Sequence, residues 1–322
     1  MDVGTRRAAL RDRRAGRRRE NPPASGVRRE AHRQGSHPAE LHRQIVPVQA
    51  GREGTGARPD PGGVTELTLD VVVRLYREHA AALRIVRAAQ KQLYAQRSDA
   101  RLERFAPYRW TAALLRRAGL PAHFKHRFKP KFDDIEAELT YLFVRSLRPD
   151  VVLEIAPYYG WSTTWLLQAL RDNGAGRLHS YDLVDYSRWT IPSDLGGDRW
   201  RFTQADVRNC LDRLPRGVGY LFLDAAHTAE FARWYLESLF PRLAPGTLVG
   251  VHDIFRGELP PMAESLVLRE WLERRGIPYF TAAPGGPGGA YERIVAVKQE
   301  LGLAEPIHDS TKNPMVFFRL PE

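Results

Sequence analysis

From Asp133 to the end of the 322-residue chain, short runs of β-branched and aromatic residues alternate with stretches whose apolar residues recur every three or four positions. That alternation admits few folds. Strand, helix and strand in regular succession build a parallel sheet covered by helices on both faces, because each parallel connection must cross over the sheet. Successive strands are predicted at 151–155, 177–182, 200–205, 219–224 and 247–252. Helices are expected from Asp133 or Asp134 to Leu147 and at 162–170, 229–242 and 263–275. A strand at either 279–281 or 294–297, and another at 315–320, would close the sheet. The predicted fold class is α/β and Rossmann-like: a mostly parallel seven-stranded sheet over residues 133–322.

The preceding residues follow other rules. Residues 1–63 hold arginine runs such as Arg17-Arg18-Arg19 among Gly, Pro and Gln, with almost no aliphatic clustering. They cannot bury enough apolar surface to offset the entropy of ordering and are read as a disordered arm. After Thr68, a residue suited to cap a helix, Leu69, Val72, Val73, Leu75, Tyr76, Ala80, Leu83, Val86 and Ala89 recur at helical spacing, which predicts one long amphipathic helix. A second, short helix at 110–117 is expected to stop at Gly119-Leu120-Pro121. The basic stretch 123–131, punctuated by Phe124, Phe128 and Phe132, reads as a surface linker or as the wall of an acidic substrate's path. Residues 64–132 are thus expected to form a helical cap or a homodimerisation element.

A net charge of +11 would point to nucleic acid or an anionic membrane if it were spread over the fold. It is not. The first 60 residues carry 14 arginines against 7 acids, a net +7, which leaves +4 for the rest of the chain. No aromatic residue is interleaved in the arm for base stacking, so nucleic acid is not the expected partner. An RNA-binding protein, with the arm as reader and the α/β domain as scaffold, is the competing reading. The single Cys210 excludes an internal disulfide and a cysteine-built metal site, which favours the cytoplasm. No run approaches the roughly 20 apolar residues of a membrane span, and the amino terminus lacks the apolar core of a secretory signal.

The chemistry-bearing residues fall at strand ends. After the first strand runs Glu154-Ile155-Ala156-Pro157-Tyr158-Tyr159-Gly160-Trp161-Ser162, an acid, a tight loop and a helix start. Such a loop delivers backbone N–H groups to an anionic ligand at a helix amino terminus. The G-x-G-x-x-G of dinucleotide binders is absent. Asp182 and Asp206 end the second and third strands, where a nucleoside's ribose hydroxyls and adenine amino group would find acceptors. The fourth and fifth strands end in Leu223-Asp224-Ala225-Ala226-His227 and Val251-His252-Asp253-Ile254-Phe255, at the same rim.

The Glu154-to-Gly160 spacing resembles the first motif of class I S-adenosylmethionine-dependent methyltransferases, although that family usually has glycine where this chain has Ala156. The D-x-x-H and H-D pair, with Leu243-Ala244-Pro245-Gly246-Thr247 between, resembles methyltransferase family 24 over residues 137–253, with a weaker match at 313–320. It is more distantly similar to the catechol O-methyltransferases. The resemblance implies S-adenosylmethionine as cofactor, held by Glu154, Ala156, Tyr159, Gly160, Ser162, Asp182, Asp206 and Asp224, with Glu154 anchoring the loop or meeting the methionine amino group. It implies a divalent metal, Mg or Mn, on Asp224, His252 and Asp253, and a histidine ligand favours Mn, Fe or Zn over Mg. It also makes His227, His252 and Asp253 the catalytic candidates, either histidine serving as the base that takes a hydroxyl proton. O-methylation of a small molecule is the expected activity. Tyr158, Tyr159, Trp161, Tyr186, Trp189 and Phe255 would offer stacking surface to a sugar, phenolic or polyketide-like acceptor. If Ala156 instead marks a degenerate loop, the chain is a non-catalytic partner of a related enzyme.

Overall fold

The computed structural model describes residues 66–98, 101–105, 123–127, 131–255, 261–308 and 311–322. The expected arm, the expected helix at 110–117 and Phe128 lie outside the described residues. Thr68 caps the first helix, its hydroxyl accepting from the Val71 amide at 3.4 Å. The amphipathic run that follows is two helices rather than one, α1 (Leu69–Glu78) and α2 (Ala80–Ser98). His79 separates them because its backbone, at φ −105° and ψ 13°, leaves the helical region. Val72, Tyr76 and Leu83 are fully buried, each worth roughly 1.5–3 kcal/mol. They face this chain's own fold, α1 against the helices Asp134–Leu147 and Ala290–Glu300 and α2 against the helix Trp161–Asn173. A two-stranded antiparallel ribbon, β1 (Arg101–Phe105) with β2 (His123–Arg127), stands where a linker is expected.

The α/β part contains α3 (Asp134–Leu147), β3 (Val151–Ile155), α4 (Trp161–Asn173), β4 (Arg177–Asp182), β5 (Trp200–Gln204) and β6 (Val218–Leu223). It continues with α5 (Ala229–Trp234), β7 (Leu248–Val251), α6 (Ala263–Arg274), β8 (Tyr279–Thr281), α7 (Ala290–Glu300) and β9 (Val316–Arg319). Of the two alternatives for the late strand, 279–281 is correct and 294–297 is helical. Ala290, Ile294 and Val297 recur at four and three residues and bury one face of α7. The amino terminus of α3 is held from across the domain, where Asn313 Oδ1 accepts from the Ile135 and Glu136 amides at 3.1 and 3.3 Å.

The seven strands lie in the order β5-β4-β3-β6-β7-β9-β8, all parallel except β9, which runs antiparallel to both neighbours. This is the Rossmann-like sheet the sequence predicts. Strand side chains alternate between two cores. Val152, Tyr220, Phe222 and Phe317 pack under α1, α3, α4 and α7, whereas Leu153, Ile155, Leu221, Leu223 and Phe318 pack under α5 and α6. Because β4 and β6 flank β3 on opposite sides, the chain direction switches there and a crevice opens at the carboxyl ends of the strands.

Candidate active site

A cavity of about 680 Å³ fills that crevice. At one end lies the β3–α4 loop. Gly160 caps α4 at φ 75°, and a Cβ there would meet the Ile191 side chain at 2.7 Å. Ala156 also adopts a positive φ, 62°, while its amide donates to the Tyr181 carbonyl at 2.7 Å. The loop therefore keeps a glycine-like backbone at an alanine, at a cost of roughly 1–2 kcal/mol. Tyr158, at φ 49°, donates its amide to Asp182 Oδ2 at 2.8 Å, and Val184 donates to Oδ1 at 3.0 Å. Burial raises the Asp182 carboxyl above its ordinary value, against the pull of those amides. Asp206 lines the same end and is gripped by Arg208, whose guanidinium donates at 2.8–3.1 Å and holds the acid below its ordinary range.

Glu154 is fully buried beneath the loop and does not line the cavity. It accepts from Ser162 Oγ at 2.7 Å, from Thr163 Oγ1 at 2.9 Å and from Ser180 Oγ at 2.6 Å. Of the two roles read from the sequence, the structure places it as the anchor that ties the α4 start to β4. Burial pushes its carboxyl up to about 7, although all three hydroxyls oppose the shift. Ser162 and Tyr159 line the cavity, and the Tyr159 ring stacks on Tyr186 at 5.2 Å. Phe255 does not belong to this rim. It packs on Tyr279 at 5.6 Å beneath the Arg269 guanidinium. The Trp189 side chain lies outside the described residues.

At the other end, β6 and β7 bring Asp224, His227 and Asp253 together, with one ligand-type atom of each within 4.8 Å of the others. His227 Nε2 lies 3.7 Å from Asp224 Oδ1 and 3.5 Å from Asp253 Oδ2. Its Nδ1 is 2.9 Å from Oε2 of the buried Glu264, a hydrogen bond that raises the imidazole pKa. His252 stands behind the cluster. Its Nε2 meets Glu136 Oε1 at 2.9 Å, and its Nδ1 lies 3.4 Å from Asp224 Oδ1 without a hydrogen-bond partner. Burial would lower the His252 pKa, but Asp224 and Glu136 outweigh it and hold the ring well above its ordinary value. Burial would likewise raise Asp224, yet His252 and then His227 keep it below its ordinary range. His227 therefore groups with the two aspartates at ligand-type distances, whereas His252, the histidine expected in the metal set, lies behind them with Nε2 on Glu136 and Nδ1 toward Asp224.

Residues 153–254 match the family model described as a methyltransferase domain, that of methyltransferase family 24. This segment is a family 24 methyltransferase domain. No curated protein matches the chain. Among solved structures, a putative O-methyltransferase from Klebsiella pneumoniae is similar at 18% identity and TM-score 0.41, over 64% of this chain and 86% of that one. The O-methyltransferase TomG from Streptomyces achromogenes, solved with SAM, aligns at 15% identity and TM-score 0.41 over 66% and 88%. An O-methyltransferase from Bacillus cereus, in complex with SAH, aligns at 15% and TM-score 0.42 over 65% and 87%. The fold of the methyltransferase domain rests on its own strand order rather than on these distant likenesses.

Sequence reasoning missed Glu136 and Glu264. Glu136 lies 116 residues before His252, and three residues after Asp133 it carries only the signal of a helix capping box; its Oε1 does accept from the Asp133 amide at 2.8 Å. Glu264 opens α6 and looks like any acid placed to favour a helix amino terminus. Neither has a spacing that announces its histidine.

Proposed function

We propose that this methyltransferase moves a methyl group from S-adenosylmethionine to a hydroxyl oxygen of a small-molecule acceptor, a sugar, phenol or polyketide-like compound. The observation that carries the reading is the continuous cavity, which runs from the Ala156–Asp182 end to the Asp224–His227–Asp253 end. S-adenosylmethionine supplies an electrophilic sulfonium methyl. The domain's own residues bind and orient. Asp182 spends one lone pair of each oxygen on a backbone amide, so both oxygens can still accept from ribose hydroxyls. Asp206, already fixed by Arg208, is the candidate acceptor for the adenine amino group. The glycine-like backbone at Ala156 argues against a degenerate loop and hence against the non-catalytic reading.

At the acceptor end, two carboxylates and an imidazole fit a divalent ion such as manganese, iron or zinc better than magnesium, which prefers oxygen alone. Such an ion would lower the hydroxyl's pKa and orient it. His227 is placed to take the hydroxyl proton if no ion is used, because Nδ1 is committed to Glu264 and Nε2 lies toward the cavity-lining Asp224 and Asp253. The exposed Tyr158 and Leu183 side chains at the rim give an acceptor apolar surface to lie against. Calorimetric titration with S-adenosylmethionine and its demethylated product tests the reading. Both should bind, Asp182→Ala should weaken both, and no binding of either would remove the foundation of the proposal.

A further inference from the structure

We infer that Glu264 is the positioning residue of the acceptor end: it fixes the His227 ring so that Nε2 is presented to Asp224 and Asp253, completing a three-residue set for a divalent cation. The inference rests on the metal form of the proposed function. Glu264 is 1% exposed on the first turn of α6, and its Oε2 lies 2.9 Å from His227 Nδ1. A carboxylate in that position selects the tautomer with the proton on Nδ1 and leaves the Nε2 lone pair toward the cluster, as carboxylates behind metal-binding histidines do.

Two further observations tie Glu264 to this end of the cavity. Ser265, its neighbour and fully buried, donates to the Ile254 carbonyl at 2.7 Å. One helical turn thus holds both the His227 ring and the loop that carries Asp253. The Tyr235 hydroxyl, also buried, stands beside Glu264 on a π-helical turn that continues α5. Such turns recur at functional sites because they re-aim side chains. That the three facing residues form a site rather than a chance acidic cluster is supported independently by His252. Its side chain is only 5% exposed and its Nε2 is held by Glu136, while its Nδ1, without a hydrogen bond of good geometry, is aimed at Asp224 Oδ1 from 3.4 Å.

The test uses the full chain, with manganese alone as the calorimetric probe and S-adenosylmethionine binding as the measure of an intact fold. Wild type should bind manganese, Asp224→Asn should lose it, and Glu264→Gln should weaken it about 10–100-fold while cofactor affinity is unchanged. Glu264→Asp, which keeps the charge on a shorter arm, should recover part of the loss. Manganese binding by Glu264→Gln as tight as wild type would overturn the inference. Absence of manganese binding in wild type would also overturn it, but would leave cofactor binding, and with it the methyltransferase reading, standing. Nitrogen NMR of His227 without metal, at alkaline pH, provides the second readout. The proton should sit on Nδ1 in wild type, and a proton on Nε2 would overturn the positioning role.

Discussion

A cluster of charge among the helices and another on the cavity are built on opposite rules. Around Glu138 of α3, Tyr76 of α1 donates at 2.8 Å, Lys298 of α7 donates at 2.9 Å and the Arg87 guanidinium of α2 closes on the same carboxylate. Arg87 also lies 3.6 Å from Asp134. Cations meet acids there, both Glu138 oxygens are engaged, and four helices are tied together. Around Asp224, acids face acids across histidines, and the side chains of Asp224, His227 and Asp253 remain 25–29% exposed to the cavity. Backbone conformation follows the same division. Of the five non-glycine residues with positive φ among the described residues, Ala156, Tyr158 and Asp253 line the cavity, and none belongs to the helical cluster. Strain and uncompensated charge persist where a ligand repays them; where only packing is at stake, the charges are neutralised.

The largest effect that would break this comparison is on turnover. Asp224→Asn should lower methyl transfer roughly 10²–10⁴-fold with little change in melting temperature, and a chelator should do the same to wild type if an ion is used. Undiminished turnover of labelled methyl groups in the variant would reduce the cavity cluster to an ordinary ion network. The converse holds at the helices. Glu138→Gln leaves buried Lys298 without its acid and Arg87 with only the more distant Asp134, and should cost about 3–5 kcal/mol in denaturant unfolding, while the folded fraction still binds cofactor. A cost under about 1 kcal/mol would mean that this cluster does not hold α1 and α2 in place.

The sheet was legible because strands buried between two cores, such as Val151–Ile155 and Val218–Leu223, read as short apolar runs set between stretches of helical periodicity. The meeting of Asp182 and Asp206 on one cavity was legible as well, since both follow from strand ends. The acceptor end was readable only in part. Asp224, His227, His252 and Asp253 announce themselves by position, but the acids that orient the two histidines, Glu264 and Glu136, arrive from helices distant in sequence. The helix break at His79 was hidden as well, because apolar spacing continues unbroken through it.

A third acid, Glu154, sharpens the contrast, because its hydrogen bonds are only to hydroxyls where Glu138 has cations. Its folded pKa of about 7 lies above its ordinary value of 4.5. The folded state therefore binds the proton more tightly, and the contribution is fully present below about 4.5 and is lost as pH rises through about 7, with a magnitude of about 3 kcal/mol. Stability measured by denaturant across that window should fall with pH in wild type. Glu154→Gln should remove this part of the slope, and an unchanged slope would show that Glu154 is ionised in the folded protein.

The smallest effect concerns the strained loop. Ala156→Gly relieves roughly 1–2 kcal/mol of left-handed strain. It also adds backbone freedom to the unfolded chain, worth roughly 0.5–1 kcal/mol, and removes a partly buried methyl worth up to about 0.8 kcal/mol. The terms nearly cancel. Ala169, fully buried in the middle of α4, offers the control, because there glycine loses helix propensity and the methyl with no strain to relieve, for about 1.5–2 kcal/mol in all. Ala156→Gly should thus be at least about 1 kcal/mol less costly than Ala169→Gly and should leave cofactor affinity equal or higher. Equal costs at the two positions would show that no strain is stored in the loop, and the division between a relaxed helical cluster and a strained cavity would lose its backbone half.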